Sequence, residues 1–228
     1  MSKPTRIALV GATGLIGMSL IRLSVNRPDI RIVGISRREA ALPPGARMEM
    51  LLADPAHWDD AIAAANADVL VCALGTTWAK AGKDEAAFRS VDQDLVLACG
   101  KAAKAAGVRQ MIAISSVGAD PMAKNFYLRV KGETEQQLGK LGLTRLDILR
   151  PGLLKGPREE LRPAERLGMI ASPVADLLMH GAHRKYRSIR AEVVAQAIVG
   201  LTREAMAGRF VFEHDAILRA ARKGQSVL

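Results

Sequence analysis

Three glycines in the run Gly11-Ala12-Thr13-Gly14-Leu15-Ile16-Gly17 constrain this chain more than any other feature. They follow the apolar segment Arg6–Val10 directly and open the apolar stretch Leu15–Asn26, which gives the order strand, glycine loop, helix. Glycine is needed where a backbone turns sharply and where it must approach a pyrophosphate with no Cβ in the way. The helix that follows directs its free N–H groups and positive dipole end at the phosphates. Glycine alone can serve any strand-to-helix turn; the flanking strand and helix make this run a nucleotide-binding signature. Gly11, Thr13, Gly14, Leu15, Ile16 and Gly17 are therefore candidate cofactor-binding residues.

The remaining chain continues the alternation. Arg6–Val10, Ile30–Ser36, Arg47–Leu52, Asp68–Ala73, Gln110–Ser115 and Arg145–Arg150 read as strands. Most are unbroken apolar runs, the pattern of parallel strands covered on both faces. Leu15–Asn26, Pro55–Ala65, Asp84–Ala106 and Tyr127–Lys140 read as helices, with Pro28-Asp29 and Pro43-Pro44-Gly45 as turns. This implies an α/β fold of the Rossmann type, a doubly wound parallel sheet. Beyond Arg150, the residues Pro151, Gly152, Gly156, Pro157, Pro163, Gly168 and Pro173 break the chain into loops and short helices as far as His183. A helix at Ala191–Ala207, a strand at Phe210–Glu213 and a last helix at Asp215–Arg222 follow. The expected organisation is a single domain, with residues 1–150 as the cofactor-binding core and 151–228 as a small extension on the substrate side.

Composition narrows the function classes. A chain of 228 residues, 49% hydrophobic and 25% charged, is long enough to bury a core and has the mixture of a globular domain. Cys72 and Cys99 lie in apolar stretches at a spacing that suits neither zinc nor a disulfide framework, so buried reduced thiols are expected. The basic start and the apolar Ile7–Val10 break at Gly11, too early for a signal peptide, and no apolar run is long enough to span a bilayer. The expectation is a cytoplasmic protein without membrane insertion. The net charge of +10 is spread along the chain, densest at Arg158–Arg166 and His183–Arg190, with no helix-turn-helix or interleaved aromatics. No specific nucleic-acid partner is expected, only a basic surface. His180 and His183 have no third ligand nearby, so no metal is expected.

An NAD-selective site usually places Asp or Glu about 20 residues past the loop, against the ribose hydroxyls. Here the second strand ends Ile35-Ser36-Arg37-Arg38, with two guanidiniums instead of a carboxylate. An arginine fork suits the 2′-phosphate of NADP(H), and Ser36 can add a hydrogen bond. Arg37 and Arg38 can equally solvate the strand end. The spacing Gly-x-x-Gly-x-x-Gly resembles the extended and atypical branches of the short-chain dehydrogenase/reductase superfamily. That resemblance implies a role for Asp54 against the adenine amino group and for Ala73-Leu74-Gly75 beneath the adenine ribose. Asp54 can equally cap the helix that begins with Pro55.

Hydride transfer to a carbonyl needs a proton donor beside the developing alkoxide. Tyr127 and Lys131 stand four residues apart, on one helical face, where a cation can favour the phenolate. Tyr-x-x-x-Lys is common by chance; its place after a strand ending in Ser115-Ser116 strengthens it, since a hydroxyl there can bond the substrate oxygen. In the superfamily this chain resembles, the matching Tyr is the proton donor and the matching Lys its activator, the Lys also holding the nicotinamide ribose. The resemblance assigns the serine to Ser116, in Ser116-Val117-Gly118, with Ser115 as second choice. An asparagine usual on the preceding helix would fall near Asp92, so aspartate here is a departure. Arg150-Pro151-Gly152 resembles the segment that brings backbone groups to the nicotinamide, which adds Pro151 and Gly152 to the cofactor set.

Gly75-Thr76-Thr77, Lys80-Ala81-Gly82, Ser115-Ser116, Gly118-Ala119-Asp120 and Tyr127 with Val130-Lys131-Gly132-Glu133 are similar to one atypical group. It is the reductase-like family of the human Tat-interacting tumour-suppressor protein and its bacterial relatives, matched over the first two-thirds of the chain. The resemblance implies an NADP(H)-dependent oxidoreductase acting on an unidentified small carbonyl or alcohol. It leaves two alternatives open, an NADPH-sensing regulatory protein and a nucleotide-sugar epimerase. Trp78 in the loop after the fourth strand can line a substrate cleft or anchor a core, and Arg158, Arg162, Arg184 and Arg187 can hold an anionic substrate or be a solvated face.

Overall fold

The computed structural model describes residues 3–156 and 179–225. Pro157, Arg158, Arg162, Pro163, Gly168 and Pro173 lie outside the described residues.

Strand β1, Thr5–Val10, leads through the glycine loop into helix α1, Leu15–Ser24, and β2 follows at Ile30–Ser36. Then come β3 (Glu49–Leu52), α2 (Trp58–Ala64), β4 (Val69–Cys72), α3 (Glu85–Arg89), α4 (Leu95–Ala105), β5 (Gln110–Ile114), α5 (Phe126–Lys140) and β6 (Arg145–Leu149). The last third supplies β7 (Leu154–Lys155), β8 (Ile189–Arg190), α6 (Ala191–Leu201), β9 (Gly208–Phe212) and α7 (His214–Gln225). Seven strands form one sheet in the order β3-β2-β1-β4-β5-β6-β9, and every pairing in it is parallel.

Burial explains why these strands read as apolar runs instead of alternating. Both faces are covered: Ile7 and Leu9 point into a core with α1, α6 and α7, while Ala8 and Val10 point into a second core with α2 and α4. The fold is the doubly wound Rossmann-like sheet. Its order reverses between β1 and β4, and the crevice beyond the carboxyl ends of those two strands is where such sheets bind nucleotides.

Four expectations are corrected in detail. The strand expected from Arg47 starts at Glu49, where its ladder with Val33 begins. The helix expected to run to Ala207 stops at Leu201: the Arg109 guanidinium takes the Thr202 and Glu204 carbonyls, and Gly208 then turns at φ +133° into β9. The paired β7 and β8 are too short to read from sequence. Most consequential, the helix expected over Asp84–Ala106 contains a π-helical turn at Ser90–Asp94 that separates α3 from α4. Such a turn adds a residue to the helix and frees a carbonyl. The Thr134 hydroxyl, from α5, donates to the Val130 carbonyl of its own helix at 2.8 Å and lies 3.2 Å from the Asp92 carbonyl oxygen. The bulge swings Asp92, almost fully buried, toward α5.

Candidate cofactor and active site

At the switch point the backbone turns at Gly11 with φ +88°. A Cβ there would lie 2.6 Å from the Ala73 carbonyl, so glycine lets the loop pass against the end of β4. Gly17 is demanded by the loop itself, since a Cβ would fall 2.3 Å from the Gly11 oxygen. Gly14 is different. Its φ is −75°, and an added Cβ would lie 3.3 Å from the Gly11 oxygen and 3.8 Å from the Ala73 oxygen, much looser than at Gly11 or Gly17. The fold makes little demand for glycine at 14; a phosphate resting on the loop makes a strong one. Gly14 is also the N-cap of α1, with no side chain capping the helix and no acidic residue in its first turn. The free N–H groups there are available to an anion. Thr13 and Gly14 are exposed, Leu15 is half-buried and Ile16 is buried, so Ile16 can offer a ligand only its backbone.

Ala73, Leu74 and Gly75 form the facing wall, with the Ala73 amide donating to the Val10 carbonyl at 2.9 Å. At the end of β2, Arg37 and Arg38 are exposed and the Ser36 hydroxyl donates to the Arg38 carbonyl at 2.5 Å, tightening the turn that presents them. Asp54 is exposed and caps the short turn Pro55–His57, its Oδ1 accepting from the Ala56 amide at 2.9 Å. One of its oxygens is thus engaged in the cap that the sequence offered as the alternative.

The chemistry-bearing residues sit at the carboxyl ends of β4 and β5 and on α5. Asn125 caps α5 by accepting from the Leu128 amide at 3.1 Å, which starts the helix one residue before Tyr127. Lys131 is buried, and its Nζ lies 2.7 Å from Asp92 Oδ1. Asp92 Oδ2 accepts from the Thr76 amide at 2.7 Å, so one carboxylate ties α5 to the loop after β4. Burial pulls Lys131 toward its neutral form, but Asp92 above all, then Tyr127 and Cys72, hold it charged, and its pKa stands above the ordinary lysine value. Cys99 shares a hydrogen bond with Cys72 behind this pair; that bond and burial push the Cys99 thiol far up, and both cysteines are buried and free.

The two serines part company. Ser115 Oγ donates to Glu135 Oε1 at 2.5 Å, and Glu135, buried, is itself gripped by the Arg150 guanidinium, with Nη2 2.5 Å from Oε2. Among the described residues, Ser116 Oγ has only a long contact, 3.4 Å, with the Val117 carbonyl. Of the two hydroxyls, that of Ser116 is the less engaged. The Val117 amide donates to the Pro151 carbonyl at 3.0 Å, which sets this segment beside Pro151 and Gly152. Gly152 is required because the Tyr186–Arg187 backbone crosses it; a Cβ would lie 2.4 Å from the Arg187 oxygen.

The neighbouring motif residues have packing reasons. A Cβ on Gly132 would strike the Asp120 carbonyl carbon at 2.3 Å, and Glu133 pairs with Arg89 at 2.6 Å, clamping α5 to α3. Trp78, Phe88, Phe126 and Tyr127 form an edge-to-face cluster, with Phe88 fully buried between Trp78 at 6.4 Å and Tyr127 at 5.7 Å. Trp78 packs into this cluster, in line with the anchoring reading, and remains partly exposed. Sequence reasoning gave Glu135 and Phe88 no role and read Thr76 only as part of a motif; the spacing of Glu135, four residues past Lys131 on α5, marks its helical face but not its partner Ser115. Arg184 pairs with Asp215 at 3.3 Å and Arg187 donates to the Met179 carbonyl at 2.9 Å. Among the described residues no group of three or more His, Cys, Asp or Glu could hold a metal, and no helix is long and apolar enough to cross a membrane.

A family model described as NAD(P)H-binding matches residues 11–205. The chain is 34% identical over 209 residues to "Protein fmp52, mitochondrial" of Emericella nidulans, covering 89% of both. It is 35% identical over 157 residues to "Protein FMP52, mitochondrial" of Candida albicans, covering 67% of this chain and 68% of that one. Among solved structures it superposes on a UDP-glucose 4-epimerase of Brucella ovis in complex with NAD, with TM-score 0.68, 16% identity, and coverage of 91% of this chain and 76% of that one. The Bordetella bronchiseptica enzyme WbmH in complex with NAD+ gives TM-score 0.67 and 16% identity, covering 92% and 75%. At such identities the structures speak for the fold alone. The relatives overturn the expected cytoplasmic location, since both carry a mitochondrial designation in their names. That expectation rested on reading no signal peptide and no apolar span in the sequence, and neither reading specifies a compartment.

Proposed function

This chain is a member of the NAD(P)H-binding family, and from that premise we propose that it is an NADPH-dependent oxidoreductase that reduces a carbonyl group on a small molecule. The observation that carries the reading is the arrangement on α5: Tyr127 half-buried one turn before a buried, charged Lys131, beside a Ser116 hydroxyl not engaged by Glu135.

When bound, the dinucleotide supplies a hydride. Gly11 to Gly17 would hold its pyrophosphate, Arg37 and Arg38 its 2′-phosphate, and Pro151 and Gly152 would lie at its nicotinamide end. Ser116 donates a hydrogen bond to the substrate carbonyl oxygen and holds it in place. Tyr127 gives its phenolic proton to the same oxygen as negative charge develops there. Lys131 stabilises the phenolate left behind and orients the nicotinamide ribose. The preference for NADPH over NADH rests on the two guanidiniums at the end of β2, where an NAD-selective site would carry a carboxylate.

The test is NADPH oxidation against a panel of aldehydes, ketones and quinones, with Tyr127→Phe as the control. The variant removes one hydroxyl and little volume, so NADPH affinity should survive. Turnover should fall by a factor on the order of 10²–10⁴, the usual worth of a positioned acid. A substrate turned over equally by both proteins sinks the catalytic assignment. NADPH binding without turnover on any carbonyl favours a sensor instead.

A further inference from the structure

We propose that Asp92 is a positioning residue for Lys131: its carboxylate, bridging the Lys131 ammonium and the Thr76 amide from within a π-helical turn, keeps that ammonium charged and aimed at the cofactor. The proposal rests on the reading that Lys131 serves the cofactor ribose and Tyr127.

The geometry is specific. Asp92 Oδ1 lies 2.7 Å from Lys131 Nζ and Oδ2 lies 2.7 Å from the Thr76 nitrogen, and both side chains are almost wholly withdrawn from solvent. A buried charge with one partner removed is strongly disfavoured, so each of these groups depends on the other for its ionised state. An asparagine at 92 could keep the Thr76 bond but could not supply the counter-charge. The π turn is what brings the carboxylate there. Thr76 follows Gly75, on the wall that faces the glycine loop, so the same carboxylate joins the cofactor side of the crevice to the lysine on α5.

The groups facing Lys131 are Asp92 from the π turn, Tyr127 from its own helix and Cys72 from β4. Burial opposes the charge on Lys131 and Asp92 is the foremost of the groups that sustain it. Glu135, one turn further along α5, is engaged by Ser115 and Arg150 and offers Lys131 nothing comparable. With the Asp92 charge gone, burial prevails, and the lysine loses its proton within the ordinary alkaline range, as buried lysines do.

The experiment measures NADPH affinity calorimetrically from about pH 7 to about pH 9.5 for wild type, Asp92→Asn and Asp92→Asn/Lys131→Arg, beside the Lys131 Nζ signal in the nucleotide-free protein by 15N NMR. Wild type should hold its affinity across that range relative to pH 7. Asp92→Asn should match it within about threefold at the low end and fall about tenfold or more below it at the high end, with the Nζ signal moving to the neutral amine. The double variant should show a flat profile again, because a guanidinium stays protonated throughout. An Asp92→Asn profile and Nζ titration that track wild type overturn the proposal. If wild type binds no NADPH at any pH, the cofactor reading fails, and the Nζ titration still decides the role of Asp92. If Asp92→Asn does not fold, the wild-type Nζ signal decides: an ammonium persisting beyond the ordinary lysine value supports the proposal, and one lost below it overturns it.

Discussion

Ser115 and Glu135 are joined by a 2.5 Å hydrogen bond between the end of β5 and the middle of α5, and Arg150 closes on the same carboxylate. This distinguishes two adjacent hydroxyls by what engages them. Ser115→Ala leaves Glu135 one donor short in a buried position and should cost about 1–2 kcal/mol of stability, with turnover changed by less than about threefold. Ser116→Ala should leave the melting temperature nearly unchanged and lower kcat/KM by about tenfold or more, the worth of one substrate hydrogen bond. Thermal melts and carbonyl-reduction kinetics on both variants check this; the reverse pattern makes Ser115 the substrate-facing serine.

Arg37 and Arg38 are exposed at the end of β2, so they can meet a 2′-phosphate without any repacking of the core. NADPH should bind more tightly than NADH. Arg37→Asp should erase the difference, since one charge-assisted contact is worth about 1.5–3 kcal/mol, or roughly ten- to hundredfold in affinity. Fluorescence titration with both cofactors measures it, and equal wild-type affinities would dismiss the fork.

The glycines of the loop should respond differently to the same added methyl group. Gly11→Ala meets the Ala73 carbonyl at 2.6 Å in a left-handed backbone and should lower stability by several kcal/mol, on the order of 3 or more. Gly14→Ala has only the 3.3 Å contact with the Gly11 oxygen to relieve. It should fold with a loss of about 1 kcal/mol or less, yet bind NADPH at least about tenfold more weakly, because on the proposed reading its Cβ would stand where the pyrophosphate would rest. Gly14→Ala with unaltered affinity would remove the loop from the cofactor site.

Asp29 lies between Arg27 and Arg203, and the Arg27 guanidinium beside it holds its carboxyl far below the usual carboxylate range. A folded-state pKa lowered in this way gives stability that is complete above the unfolded value of about 3.9 and lost as pH falls below it. Arg27 is buried, so Asp29→Asn should cost about 2–3 kcal/mol at neutral pH, somewhat under the figure for a fully buried pair because Asp29 is partly exposed. The wild-type advantage should shrink in melts taken from about pH 5 down to about pH 2. An advantage that persists at the acid end excludes this pair as its source.

The order of strands and helices, the glycine loop and the spacing of Tyr127 and Lys131 were legible in the sequence, because they are local. Parallel strands buried on both faces show as apolar runs, a tight turn shows as glycine, and four residues make one helical turn. The tertiary structure alone decided what each polar group meets. Nothing near Ser115 in the chain announces Glu135, and Glu135 is what sets Ser115 apart from Ser116. Asp92 read as a departure from an asparagine pattern, and only the π turn, a defect in helix periodicity, brings its carboxylate to Lys131. Of the glycines in the first motif, the sequence treats all alike. The approach of Ala73 to Gly11, and of the Gly11 oxygen to Gly17, shows that the fold itself calls for glycine at two of them and less so at Gly14. Local rules depend on bonds along the chain; the state of a buried charge depends on whatever the fold places across from it, and that partner lies tens of residues away in sequence.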